Sequence, residues 1–105
     1  MDKILAVDDE ESVRQSYRII LSNHYNVNLA RNGREALDFL EKNHVDVILL
    51  DLTMPGMSGE ESLRELDNRG NTVPVIVVTA SSSVNSAVEA MKLGAREYIQ
   101  KPFDV

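Results

Sequence analysis

The sequence contains no cysteine, which excludes disulfides and thiolate-bound metals. No apolar run approaches the length of a membrane span, and Met1-Asp2-Lys3 is not followed by the long apolar core of a signal peptide. A soluble, cytoplasmic protein with no membrane partner is expected. Basic charge is in deficit: 11 Lys and Arg face 17 Asp and Glu, a net charge of −6. A direct nucleic-acid ligand is therefore not expected, because binding a phosphate backbone needs a basic face. A DNA-binding domain outside this stretch remains compatible with that reading. There is no P-loop and no glycine-rich dinucleotide turn. Any phosphoryl group handled here should come from another protein or a small phosphodonor, not from a bound nucleotide. His24 and His44 stand in polar, loop-like surroundings and read as surface residues. Arg14, Arg18 and Arg64 read as ordinary solvated positions in preference to partner contacts.

What is present suits one folded domain over residues 1–105. Apolar residues make up 43% and charges are well mixed, enough for one modest core. The stretch from Asp46 to Gly56 organises the rest. Val47 to Leu50 is a continuous apolar run, as expected of a strand covered on both faces. The run stops on Asp51, and Pro55-Gly56 forces a turn. Lys3 to Val7 is a similar run, followed at once by Asp8-Asp9-Glu10-Glu11. Val13, Tyr17, Ile20 and Leu21 then share one helical face, with Asp9 as the expected N-cap.

Tyr25 to Ala30 alternates apolar and polar and reads as an edge strand. Asn32 and Glu35 have capping-box spacing and open a helix buried through Ala36, Leu37 and Leu40, with Phe39 alongside. Ser58 and Glu61 repeat that spacing before Leu63 and Leu66. Val73 to Val78 is a third buried run, ending at Thr79-Ala80. A fourth helix is expected to bury Val84, Ala87, Val88 and Met91, and to end at Leu93-Gly94. Glu97 to Gln100 reads as a second edge strand, closed by Lys101-Pro102-Phe103.

Strands alternating with helices across short links predict an α/β fold with a doubly wound five-stranded parallel sheet. With the alternating strands at the edges, the order is 2-1-3-4-5, the flavodoxin-like arrangement. Its crevice lies between the carboxyl ends of the first and third strands. Asp8, Asp9 and Asp51 fall there, and Thr79 and Lys101 end the two strands beyond. Crowded carboxylates favour a divalent cation, and an all-oxygen set suits Mg2+. A carboxylate nucleophile, a metal, a lysine and a hydroxyl together form a phosphoryl-transfer set.

These residues resemble the receiver domain of bacterial two-component response regulators (the CheY-like domains). The features that match are Asp8-Asp9, the stretch from Asp51 to Gly59, Thr79-Ala80, Gly94 to Tyr98, and Lys101-Pro102-Phe103. The resemblance runs from Ile4 to Phe103. It implies that Asp51 accepts phosphate from a histidine kinase as an aspartyl phosphate. Asp8, Asp9, Asp51 and the Thr53 carbonyl would hold Mg2+, and Lys101 would pair with carboxylate and then phosphate. Thr79 and Tyr98 would move together to remodel the surface of the fourth helix and fifth strand, read by an output domain or partner protein. Pro102 would follow a cis peptide bond. Thr53 and Ser81 would tune the lifetime of the phosphoryl group.

The family pattern includes a fifth helix, for which no sequence remains after Val105. The chain therefore reads as the N-terminal fragment of a longer regulator. An apolar strip, lowered stability and a homodimer through that strip are expected, with size-exclusion chromatography as the check. Two other readings compete. One is a phosphorylation-independent interaction module. The other is a haloacid dehalogenase-type phosphatase with Asp8 as nucleophile, in which Glu10 stands where a second Asp belongs.

Overall fold

The computed structural model describes residues 2–52, 59–80 and 84–101, with 84–86 by their backbone only. The expectations for Thr53, Ser58, Ser81 and Pro102 lie outside these residues. The elements in chain order are β1 (Lys3–Val7), α1 (Glu11–Leu21), β2 (Asn26–Ala30), α2 (Gly33–Lys42), β3 (Val47–Leu50), α3 (Gly59–Asn68), β4 (Val75–Thr79), α4 (Val84–Lys92) and β5 (Glu97–Gln100). All four strand pairings are parallel, and the order is β2-β1-β3-β4-β5. This is the expected doubly wound sheet, with four helices among the described residues.

Residues paired in register across a parallel sheet share a face. One face carries Leu5 and Val7 of β1, Ile48 and Leu50 of β3, and Val75 and Val77 of β4. These join Ala36 and Leu37 of α2, Leu63 and Leu66 of α3, and Ala90 of α4 in the main core. The other face carries Ile4 and Ala6, both buried, beside α1, whose Tyr17 is also buried. Further along that face Val47, Leu49 and Ile76 are only half-buried, and Ile99 is 42% exposed. Val78 of β4 is buried on this face too, so coverage of the third and fourth strands there is partial among the described residues.

The helix ends explain several boundaries. Asn32 Oδ1 accepts the Glu35 N–H at 2.9 Å, as expected for an N-cap. The returning bond is displaced by one residue: Glu35 takes the N–H of Arg31 at 2.8 Å and also its Nε at 2.9 Å. At the start of α1 the expectation of Asp9 as N-cap is corrected. Glu10 is the N-cap and makes no side-chain cap bond. Helices α3 and α4 both end in Schellman turns. Gly70 and Gly94 have φ of 73° and 104°, a region that side chains disfavour. The following N–H groups of Asn71 and Ala95 return to Leu66 and Ala90.

Helix α4 corrects a second expectation. Val88 and Met91 are exposed at 45% and 48%, while Ala90 is fully buried. Several sides of this helix are apolar, so periodicity alone could not choose among them. The turn at Gly94 draws Ala90 and Ala95 inward together, and small side chains let the helix sit close to β5.

Candidate functional site

The carboxyl ends of the strands form one rim. Asp8 follows Val7 and Asp51 follows Leu50, and these two residues are paired in register. The pairing continues past the strand ends, with the Asp51 N–H donating to the Val7 carbonyl at 3.0 Å. The two acidic side chains are therefore placed side by side by the sheet itself. Lys101 arrives from the far edge, where its N–H donates to the Thr79 carbonyl at 2.8 Å.

Lys101 Nζ lies 2.6 Å from Asp8 Oδ2 and 3.3 Å from Asp51 Oδ2. One ammonium thus bridges two buried carboxylates. Glu10 N–H donates to the other oxygen of Asp8 at 2.9 Å. The Asp8 carboxyl is nevertheless held above its ordinary value. Burial is the main cause and the Asp51 charge adds to it, against the opposing pull of Lys101 and the Glu10 N–H. Burial pulls Lys101 downward, but its two carboxylate partners outweigh that, and its net shift is upward. Lys101 is therefore a cation at neutral pH.

Thr79 is completely buried, and its Oγ1 has no hydrogen-bond partner among the described residues. A buried hydroxyl left so costs about 1–3 kcal/mol, which a ligand oxygen at this rim would offset. The carboxylate oxygens of Asp8, Asp9 and Glu10 lie within 4.8 Å of one another. Hard oxygen donors of this kind fit a divalent cation of the Mg2+ class. Asp51 is tied to this set through the shared Lys101. Tyr98 is half-buried against the main core from β5.

Three contributors were not legible as such in the sequence. Glu10 belongs to the carboxylate set, although its place directly after Asp8-Asp9 was the available signal. Arg14 is not an ordinary solvated residue, because its Nη1 donates to the Asp8 carbonyl at 2.9 Å. Gly59 opens α3 against the backbone of Asp51 and Leu52, a close approach that carries no sequence signal beyond the glycine itself.

Tyr17 is also buried, with its phenol held well above the usual range by burial and then by the charges of Asp8 and Asp51. An unfolded chain loses this proton near pH 10.0, whereas the folded chain retains it. Stability from Tyr17 is complete below that pH and is lost as pH rises beyond it. Lys101 acts with the same sign: its contribution is present below its unfolded value of 10.5 and is lost as pH climbs through its raised value. Urea unfolding between about pH 9 and 11 should show a shallower decline for Tyr17→Phe than for the parent. Equal slopes would contradict the assigned cause.

The model of the response regulator receiver domain matches residues 4–105. This chain belongs to that family. The receiver domain is 44% identical over 102 residues to response regulator MprA of Mycolicibacterium vanbaalenii, covering 96% of this chain and 44% of that protein. MprA of Mycobacterium leprae is 43% identical over the same length, with 45% of its chain covered. The domain thus spans less than half the length of these relatives. Among solved structures, chemotaxis protein CheY4 of Vibrio cholerae superposes with a TM-score of 0.93 at 36% identity, over 99% of this chain and 89% of that one. Response regulator TrrA of Thermotoga maritima, solved in complex with Mg(2+)-BeF, gives 0.87 at 34% identity, over 99% and 90%. Among the described residues, no helix of the receiver domain is long and apolar enough to cross a membrane.

Proposed function

We propose that the receiver domain is a cytoplasmic phosphoacceptor, taking a phosphoryl group from the phosphohistidine of a sensor histidine kinase onto Asp51. The observation that carries this reading is the pairing of Asp8 and Asp51 on one lysine ammonium, one strand away from the Thr79 hydroxyl, which has no partner among the described residues. Asp51 is the acceptor in this reading because it directly follows the central strand β3 and shares Lys101 with Asp8. Both oxygens of Asp8 are already engaged, one by Glu10 N–H and one by Lys101. That occupancy also speaks against a phosphatase built on Asp8.

In the transfer, an Asp51 oxygen forms the bond to phosphorus as the bond to the imidazole nitrogen breaks. The imidazole departs with the electron pair. Asp8, Asp9, Asp51 and the Thr53 carbonyl, with Glu10 beside them, would hold Mg2+. The ion would neutralise charge on the moving group. Lys101 follows the negative charge from carboxylate to phosphoryl oxygen, and Thr79 Oγ1 donates to another of those oxygens. Movement of Thr79 frees space on the side where Tyr98 packs. The exposed face of α4 and β5 then becomes the surface that an output domain or partner reads.

Intact-mass measurement after incubation with acetyl phosphate and Mg2+ tests this reading. One phosphoryl adduct is expected on the parent, none on Asp51→Asn, and little without Mg2+. A folded parent chain that takes up no phosphoryl group would leave a phosphorylation-independent interaction module as the better account.

A further inference from the structure

Arg14 occupies a place at the rim that the transfer just described does not use. It projects from the first turn of α1, and its Nη1 donates to the main-chain oxygen of Asp8 at 2.9 Å in a partly buried setting. That oxygen belongs to the peptide joining Asp8 to Asp9. The plane of this peptide sets the direction in which the Asp9 side chain leaves the backbone. The next peptide carries the Glu10 N–H, which donates to Asp8 Oδ1. The same stretch is held from below by the Asp8 N–H, which donates to the Ala30 carbonyl at 3.1 Å. Arg14 lies close enough to Glu35 for its charge to help hold that carboxyl below its usual range, though the bonds to Arg31 dominate there. The guanidinium is thus tied to the Asp8 carbonyl just past β1, with Glu35 of the first turn of α2 nearby.

We infer that Arg14 is a positioning residue for the cation half of the site, fixing the Asp8–Asp9 peptide so that the carboxylates of Asp8, Asp9 and Glu10 converge. The inference rests on the phosphoacceptor reading. It carries a sign that simple electrostatics does not. A fixed positive charge near a divalent-cation site opposes binding, so removing it should tighten Mg2+ on Coulombic grounds. Loss of positioning should weaken Mg2+ instead, as removal of groups that orient metal ligands generally does.

Isothermal titration with magnesium chloride would be run on the parent chain, Arg14→Gln and Arg14→Lys, with thermal unfolding of each. Arg14→Gln is expected to bind Mg2+ about tenfold more weakly than the parent. Arg14→Lys keeps the charge but replaces the planar fork with a point ammonium, and should recover only part of that loss. Binding by Arg14→Gln at or above parent affinity would overturn the inference. Should Arg14→Gln fail to fold, parent-like affinity in Arg14→Lys would overturn it, and weakened affinity in that variant would support it. A parent chain that binds no Mg2+ would instead overturn the phosphoacceptor reading, so the two failures are distinguishable.

Discussion

Gly59→Ala is expected to destabilise the receiver domain by about 3 kcal/mol, at the upper end of the usual range for overpacking. A Cβ at this position would stand 2.2 Å from the Asp51 carbonyl oxygen, 2.4 Å from Leu52 Cα and 2.9 Å from the Asp51 carbonyl carbon. All three are main-chain atoms, so no side chain can swing aside to make room. Gly59 also donates its N–H to the Leu52 carbonyl at 3.0 Å, which locks the first residue of α3 to the segment just after β3. Relief would require moving either α3, packed into the core through Leu63 and Leu66, or the backbone that carries Asp51. The urea midpoint should fall accordingly, and the fraction that remains folded should take up phosphoryl groups from acetyl phosphate more slowly. A parent-like midpoint would contradict the packing described here.

Lys101→Met should produce the second large effect, and one that depends on conditions. The ammonium stands between two carboxylates that are 1% and 4% exposed, and its own side chain is 12% exposed. Removing one partner of a buried ion pair costs about 3–5 kcal/mol, because the other partner keeps its desolvation penalty. Here two carboxylates remain. The sign of the pH dependence follows from Asp8. Its folded value already lies above the unfolded 3.8, so the folded chain binds more protons between those two values. Stability therefore falls as pH rises through that window and recovers on acidification. Without Lys101 the window widens upward, and the variant should gain more from acidification than the parent does. Mg2+ replaces the missing positive charge and should restore stability by about 2.7 kcal/mol at a hundredfold excess over its dissociation constant. Urea unfolding at two pH values, with and without Mg2+, checks all three statements. A Lys101→Met chain as stable as the parent at neutral pH, and unmoved by Mg2+, would contradict them.

The sheet was legible because its signals are local and redundant. The apolar runs ending at Val7, Leu50 and Val78 each marked a central strand, and the alternation in Asn26–Ala30 marked an edge. Once the order was set, Asp8, Asp51, Thr79 and Lys101 had to fall on one rim, since each follows or ends a parallel strand. What escaped depended on three-dimensional neighbours. The inward side of α4 is set by the turn at Gly94, not by hydrophobic spacing, which fits Val88 and Met91 as well as Ala90. The start of α1 looked like a cap at Asp9, but the N-cap falls one residue later at Glu10, whose N–H is turned back onto the Asp8 carboxylate. Arg14 resembles any surface arginine until the carbonyl it meets is known. Gly59 carries no side chain to interpret, and its importance lies in the backbone pressed against it.

The measurement that bears most directly on the central claim is the location of the acyl phosphate. Borohydride reduces an aspartyl phosphate to homoserine, so peptide mapping of the reduced chain identifies the acceptor. After treatment with acetyl phosphate and Mg2+, conversion is expected at residue 51 and nowhere else. Conversion at residue 8 or 9, with residue 51 unchanged, would contradict the account and reassign the nucleophile to the carboxylates placed here around the cation.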